Sequence, residues 1–503
     1  MLKYLLATSL LFNFSTSDLF AQDVQDEVES VYISEDQLLQ LVIEENEAVR
    51  RQKYEVEIAE QSVTNALSVF EPTLGVEYES SYGHEQNDAA LRVQRSSSST
   101  YQYEDRNYKT SIEGLLPTGT EYQLYYEMDD PANSLQTDAE YGHEYDAKTG
   151  IKVTQPLLKN FGLDANMANY RVATKEKEIG KQTLRQAKMG RLYEAALAYA
   201  DLQYSEKRVR NELKLLEIEK KGVDIVAQLA AQGRVDRSAV FQAESDLVRR
   251  EARVDLAKKV FRRASNSVRR MLVGTTEQTD QVLYAADPLE MMPVIEKLGT
   301  KDLDYAYEKR PEFISAKIQN DLEHTRVDYA SNQRLPDLDL VMEIGKTGLA
   351  DNGIEAHHKL GSTYKFWSLG VQLSVPLAGG LKSKSSFDAA RLRKKQAELR
   401  LHSLEGQIAA EVDMAEYELE STEKTMHKYQ RILRTAESSL KELEKKFENG
   451  KASRYEILKK QSEVLQAETS YHEKLLDYKK SSLALLLAQG RLLEHYSLGQ
   501  GNS

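Results

Sequence analysis

The residues of this chain best placed to do chemistry are Gly345-Lys346-Thr347, the pair His357-His358, and the carboxylate Glu456 with Lys459 one turn beyond it. The first set ends as a phosphate-binding loop ends, but residue 340 is Leu where that motif needs glycine, and the segment closes a strand instead of opening a helix. The two histidines lie in a segment that reads as an exposed loop, and no zinc-protease spacing surrounds them. The chain has no cysteine, which excludes thiolate metal sites, thiol catalysis and a lipidated N-terminal cysteine. No nucleophile, base and oxyanion donors converge in the sequence, so no catalytic residue, metal ligand or cofactor is expected. The net charge of −13 and the lack of a basic cluster speak against nucleic acid. Most carboxylates are scattered along helical stretches as a solvated face, with a minority free to line an aqueous passage.

What positions Glu456 is a helical hairpin. Val412, Ala415, Leu419, Thr422, Met426, Tyr429, Leu433, Ala436, Leu440, Leu443 and Phe447 alternate spacings of three and four, the seam of a coiled coil. The seam stops at Asn449-Gly450. Glycine suits the left-handed residue after a helix, and Ser453 with Glu456 reads as a capping box, so Lys451 and Ala452 form the bend. An earlier seam through Leu202, Val209, Leu213, Leu216, Val223, Ala227 and Ala230 ends at Gly233-Arg234-Val235-Asp236, with Asp236 as the next N-cap. Gly150 and Pro156 likewise find partners in Gly370 and Pro376, and Pro72 in Pro336. One half is therefore a diverged copy of the other.

In chain order, residues 1–21 read as a secretory signal peptide: Lys3, an apolar run from Leu5 to Phe14, and Ala21 at the cut. Residues 22–71 hold a loose acidic stretch and one helix from Ser34 to about Phe70. Residues 72–157 hold strands and loops, with 83–106 reading as a loop and a hairpin over 108–128 that either joins the sheet or covers its mouth. Residues 158–273 form the first helical hairpin with tip 233–236. A loop-like linker at 274–301 and a helix over 302–335 follow. Residues 336–378 form a strand pair, 379–490 the second hairpin with tip 450–453, and 491–503 a tail whose order is left open.

The strands are two-faced. Leu338, Leu340, Met342 and Ile344 oppose Asp337, Asp339, Val341 and Glu343; Trp367, Leu369, Val371, Leu373, Val375 and Leu377 oppose Ser368, Gly370, Gln372 and Ser374. About ten residues is the length a tilted strand needs to cross a bilayer, and no helical stretch is apolar enough to do so. Ten tyrosines from Tyr78 to Tyr145 and a single tryptophan at a strand start suit aromatic girdles. Four strands, or six with the extra hairpin, are too few to enclose a channel, so a closed ring of two to four copies is implied, and three copies give at least twelve strands. A soluble β head on a secreted coiled-coil structural or adhesion protein is the rival reading. It predicts extraction without detergent.

The motif Gly150-Ile-Lys-Val-Thr-Gln-Pro156 repeated as Gly370-Val-Gln-Leu-Ser-Val-Pro376, together with the two glycine tips, resembles the TolC-like outer membrane factor family over nearly the whole mature chain. That resemblance implies a mainly helical fold carrying a transmembrane β-barrel, a homotrimeric channel-tunnel in the outer membrane that extends into the periplasm. It also implies passive passage for exported substrates, driven by an inner-membrane transporter through a periplasmic adaptor. The family's rim residues map onto Gly233, Arg234, Val235, Asp236, Gly450, Lys451, Ala452 and Ser453, which are expected to meet the adaptor. Arg234 and Lys451 are cations that capping does not require. Known members carry two carboxylates a turn apart at the pore entrance; Glu456 matches the first, but Lys459 stands at the second, which weakens the expectation of cation selectivity. Drug, metal-ion and protein export fit the resemblance equally, and each would bring its own inner-membrane partner.

Overall fold

A computed structural model describes residues 30–95, 98–134, 144–272, 282–292, 300–361, 364–377 and 379–496. The signal-peptide segment and residues 497–503 lie outside the described residues. In chain order the elements are β1 (Ser30–Ile33), α1 (Glu35–Glu45), α2 (Glu47–Leu67), β2 (Thr73–Gln86), α3 (Ala89–Gln94), β3 (Thr100–Leu115), β4 (Glu121–Asn133) and β5 (Tyr145–Pro156). Next come α4 (Gly162–Asn166), α5 (Ala168–Ala231), α6 (Arg237–Met271), β6 (Val282–Ala285), α7 (Thr300–Lys309) and α8 (Pro311–Asn332). The chain closes with β7 (Asp337–Ala350), α9 (Gly353–Lys359), β8 (Lys365–Ser374), α10 (Leu381–Glu448), α11 (Arg454–Ala488) and α12 (Leu492–His495).

The fold is mostly helical, with one antiparallel sheet at one end. Its 64-residue α5 and 68-residue α10 run about 95–100 Å at 1.5 Å per residue. Both return strokes, α6 and α11, are 35 residues long. Side by side, α5 meets α11 through Lys480 on Asp201 at 2.6 Å, Lys207 on Glu468 at 2.8 Å, and an Asn211 amide donating to Thr469 at 3.1 Å.

Three local expectations are corrected and one open alternative is decided. Residues 83–86 and 100–106 are strand, because β2 pairs with β3 along its whole length, from Thr73 with Glu113 to Gln86 with Thr100, and α3 lies between them. The 108–128 hairpin lies in the sheet, giving the order β2-β3-β4-β5-β7-β8. The N-terminal helix breaks at Asn46, whose extended backbone and side-chain bond to the Ala48 N–H start a second helix. The 302–335 helix breaks at Pro311, which has no N–H to continue the ladder and takes the first position of α8.

The stretch before Ser34 and the linker also contain structure: β1 pairs in parallel with β6 from Ser30–Val282 to Ile33–Ala285. This pair sits partway along the shaft beside the largest core, built from Leu38, Leu39, Val42, Leu192, Tyr199, Val268, Tyr478, Leu483 and Leu492. The core hosts a buried charge, Lys479, held at 2.6 Å by Glu35 and at 3.2 Å by the Gln203 amide oxygen. The Tyr496 hydroxyl donates to the other Glu35 oxygen at 3.0 Å, so residues far apart in sequence meet at one node. Leu492 and Leu493 are buried there too, which anchors the start of the C-terminal tail.

Candidate functional site: the two-faced sheet and the hairpin tips

Strand register aligns the side chains into rows that run across all six strands. One row reads Leu74, Ile112, Leu124, Ile151, Ile344 and Trp367. These residues are exposed by between 43% at Leu124 and Ile151 and 76% at Trp367, so a continuous apolar surface faces outward from the protomer. Further along the same face stand Met342 with Leu369, Leu340 with Val371, and Leu338 with Leu373. Tyr78 and Tyr108 stack at 4.9 Å above the apolar row. Large apolar residues in register and open on a sheet face cannot be a soluble surface without a covering phase.

The opposite face is polar. One of its rows reads Thr73, Glu113, Gln123, Lys152, Glu343 and Ser368, and another Glu77, Lys109, Glu127 and Lys148. Opposite charges sit as cross-strand neighbours, a pairing that stabilises a solvated sheet face. The Tyr125 hydroxyl donates to Glu343 at 2.6 Å across two strands of this face. Because β3 and β4 keep the same alternation as their neighbours, the extra hairpin is part of the sheet by chemistry as well as by hydrogen bonding. The outermost strands, β2 and β8, each have one unpaired edge.

Gly345-Lys346-Thr347 falls inside β7, in agreement with the strand reading. His357 and His358 are exposed, but on the short helix α9, not in a loop; Asn352 caps it through the Glu355 N–H at 2.9 Å.

At the other end of the shaft the two tips share one geometry at an offset of 217 residues. Gly233 and Gly450 both have φ +69°, the left-handed conformation that L-residues with a Cβ disfavour. The Arg234 N–H donates to Leu229 O at 2.9 Å, and the Lys451 N–H to Lys446 O at 2.8 Å, which closes each helix with the same backbone loop. Arg234 and Lys451 are exposed, and Val235 and Ala452 are half-buried beneath them. The caps differ. Asp236 holds the N-cap position with no side-chain bond to the helix, whereas the Ser453 hydroxyl accepts from Glu456 N–H at 3.2 Å and the Glu456 carboxylate accepts from Ser453 N–H at 2.7 Å. The Ser453 N–H first, and then the Ser453 hydroxyl, which donates to the carboxylate at 3.0 Å, hold the Glu456 carboxyl below the usual carboxylate range. Lys459 is exposed one turn further on. The seam behind the second tip is most tightly buried at Val412, Ala415, Leu419 and Met426 and loosens toward Phe447, which is 42% exposed. In the first hairpin Leu202 is buried as expected, and Leu215, which the heptad spacing passes over, is buried with it.

The sequence pattern of the outer membrane efflux protein family matches residues 303–491. No curated protein matches the chain. Among solved structures, the Campylobacter jejuni CmeC outer membrane channel is 13% identical with a TM-score of 0.60, over 95% of this chain and 93% of that one. The open-state Neisseria gonorrhoeae MtrE outer membrane channel is 16% identical with a TM-score of 0.61, over 91% and 88%. The outer membrane protein VceC of Vibrio cholerae is 14% identical with a TM-score of 0.60, over 91% and 96%. Residues 303–491 are thus similar to the outer membrane efflux protein family, and the chain as a whole has the fold of solved outer membrane channels.

Proposed function

We propose that copies of this chain join edge to edge, β8 of one against β2 of the next, to form an outer-membrane efflux channel that reaches into the periplasm. The observation that carries this reading is the six-strand sheet, apolar on one face, charged on the other and open at both edges. Six strands cannot enclose a lumen alone. Three copies supply eighteen, a number at which barrels leave an aqueous channel, and pairing abolishes the exposed edges. The apolar rows then face lipid and the rows of Glu, Lys and Gln face water.

The channel is passive: no part of the site calls for a cofactor or a catalytic residue, and the energy comes from an inner-membrane transporter. The tips Gly233–Asp236 and Gly450–Ser453 are the surface for a periplasmic adaptor, with Arg234 and Lys451 supplying exposed positive charge that the backbone loops do not need. Glu456 and Lys459 stand at the pore entrance, where a ring of mixed sign holds less negative potential than paired carboxylates would.

Detergent-purified protein reconstituted in a planar bilayer tests the reading. A heat-resistant trimer with step-like conductance is expected. A monomer that stays in solution without detergent and forms no pore would favour the secreted coiled-coil protein instead.

A further inference from the structure

Lys346 and Lys365 stand directly opposite each other at the outer end of the β7–β8 pair, one row beyond Ile344 and Trp367. By strand parity both side chains leave the sheet on the apolar face. Like charges at facing positions repel, and no carboxylate among the described residues forms an ion pair with either lysine. Above them α9 lies on the same face. Ala356 packs with Ala147 and Ala350, and Gly348 lets the helix backbone down onto the strand, since a Cβ there would sit 2.2 Å from the Ala356 carbonyl oxygen. The helix adds exposed His357 and His358, and Ile354 projects from it at 73% exposure.

We propose that this rim is a docking surface for a phosphate-bearing lipid of the outer leaflet. Lys346 and Lys365 engage the headgroup phosphate, while Ile344 and Trp367 meet the acyl chains. The proposal rests on the reading that the apolar rows lie in a membrane. Three features fit one occupant. The apolar rows along β8 from Trp367 to Leu373 end at the lysines, a tryptophan marks the border, and the cations come next, in the order in which a lipid presents chains, interface and phosphate. Two facing lysines without an acid between them are stabilised by an anion, and a surface meant only for water gains nothing from placing them opposite each other. A free phosphate would satisfy the charge but leave the apolar residues beside it without a partner.

The test uses the full chain in vesicles of phosphatidylethanolamine containing lipid A, extracted in mild detergent and read by native mass spectrometry. Wild type is expected to retain lipid A, and the double variant Lys346→Gln/Lys365→Gln to lose roughly tenfold or more of it. Lys109→Gln/Lys152→Gln, on the polar face, is expected to retain it as wild type does. Should the double variant not assemble, Lys365→Gln alone, at an exposed position, is expected to move retention in the same direction. Equal retention by wild type and the β7–β8 variant overturns the proposal, as does equal retention of dephosphorylated lipid A by wild type. Lysine-dependent binding of inorganic phosphate in the absence of lipid, seen by phosphorus NMR, would overturn it in favour of a free-anion site. Conductance is measured on the same samples: a conducting channel that does not retain lipid A sinks only this proposal, whereas a wild type that neither conducts nor partitions into vesicles sinks the channel reading.

Discussion

The two hairpins have matching tips and return helices of the same length, yet their seams are closed by different chemistry. Leu202 and Leu419, equivalent at the 217-residue offset, are both buried. One turn and more toward the tip the two diverge. The second hairpin continues its seam with Tyr429 and Ala436, opposite a half-buried Ala467; the first has Glu212 and Glu219 at those positions and Arg250 at the third. The Arg250 guanidinium is buried and lies 3.0 Å from Glu212 and 3.6 Å from Glu219. The same backbone therefore closes either over an apolar seam, which tolerates graded change, or over a charge cluster, which does not.

Breaking that cluster carries the largest expected effect. Arg250→Ala leaves the Glu212 carboxylate at the seam without its partner, and loss of one member of a buried pair costs about 3–5 kcal/mol. Denaturant unfolding should show it. Replacing the set with what the second hairpin uses, Arg250→Ala with Glu212→Tyr and Glu219→Ala, should recover most of the loss if the comparison holds. A triple variant as unstable as the single one would mean that the two seams are not interchangeable.

The tips sharpen the comparison at a smaller scale. Gly450→Val and Gly233→Val each force a β-branched residue to positive φ, a strain of about 1–3 kcal/mol confined to the turn. On the channel reading, heat-resistant trimers should persist while export stops; loss of the trimer would instead assign both glycines to folding. The caps should separate the tips further. Ser453→Ala removes a capping box and should cost about 1 kcal/mol, whereas Asp236→Ala, which removes no side-chain bond, should cost a few tenths at most. Hydrogen exchange of peptides spanning each tip reads both.

Acid should distinguish the tips in the same direction. The Glu456 carboxyl is depressed in the folded tip, so its contribution is fully present above the unfolded carboxylate pKa and is lost as pH falls through the lower folded value. Exchange over 453–458 should therefore accelerate at acid pH relative to 236–241, where no such box exists. Equal acceleration at both tips would place the effect elsewhere in the shaft.

Elements governed by short-range rules were legible in the sequence. Helix periodicity, the glycine tips and the Ser453–Glu456 box depend on residues a few positions apart, and the structure has them where the spacing puts them. What escaped depends on distant partners. The β1 strand exists because Val282–Ala285 lies beside it, 252 residues away, and nothing in Ser30–Ile33 names that partner. The stretch 83–106 reads as a loop because a serine run and many charged and polar residues fill it, and only the register with β2 shows that Tyr103 and Arg106 belong to a strand. Breaks at Asn46 and Pro311 were visible as residue types, but their weight was set by packing. The Arg250 cluster was missed because heptad reading searches for apolar residues and skips the charges that replace them.

Glu456 offers the smallest and most specific test, because capping and pore lining make different demands on one side chain. Capping needs an acceptor, which glutamine also provides; narrowing or charging an entrance needs the carboxylate. Glu456→Gln should keep tip exchange close to wild type yet shift ion selectivity toward anions, while Glu456→Ala should loosen the tip and raise single-channel conductance. The carboxylate already accepts from the Ser453 N–H at 2.7 Å and hydroxyl at 3.0 Å, so part of its charge is spent within the turn and the selectivity shift should be modest. If Glu456→Gln leaves selectivity and conductance as they were while Glu456→Ala only loosens the tip, the residue is a cap, and the narrowest part of the entrance must be sought higher in the shaft.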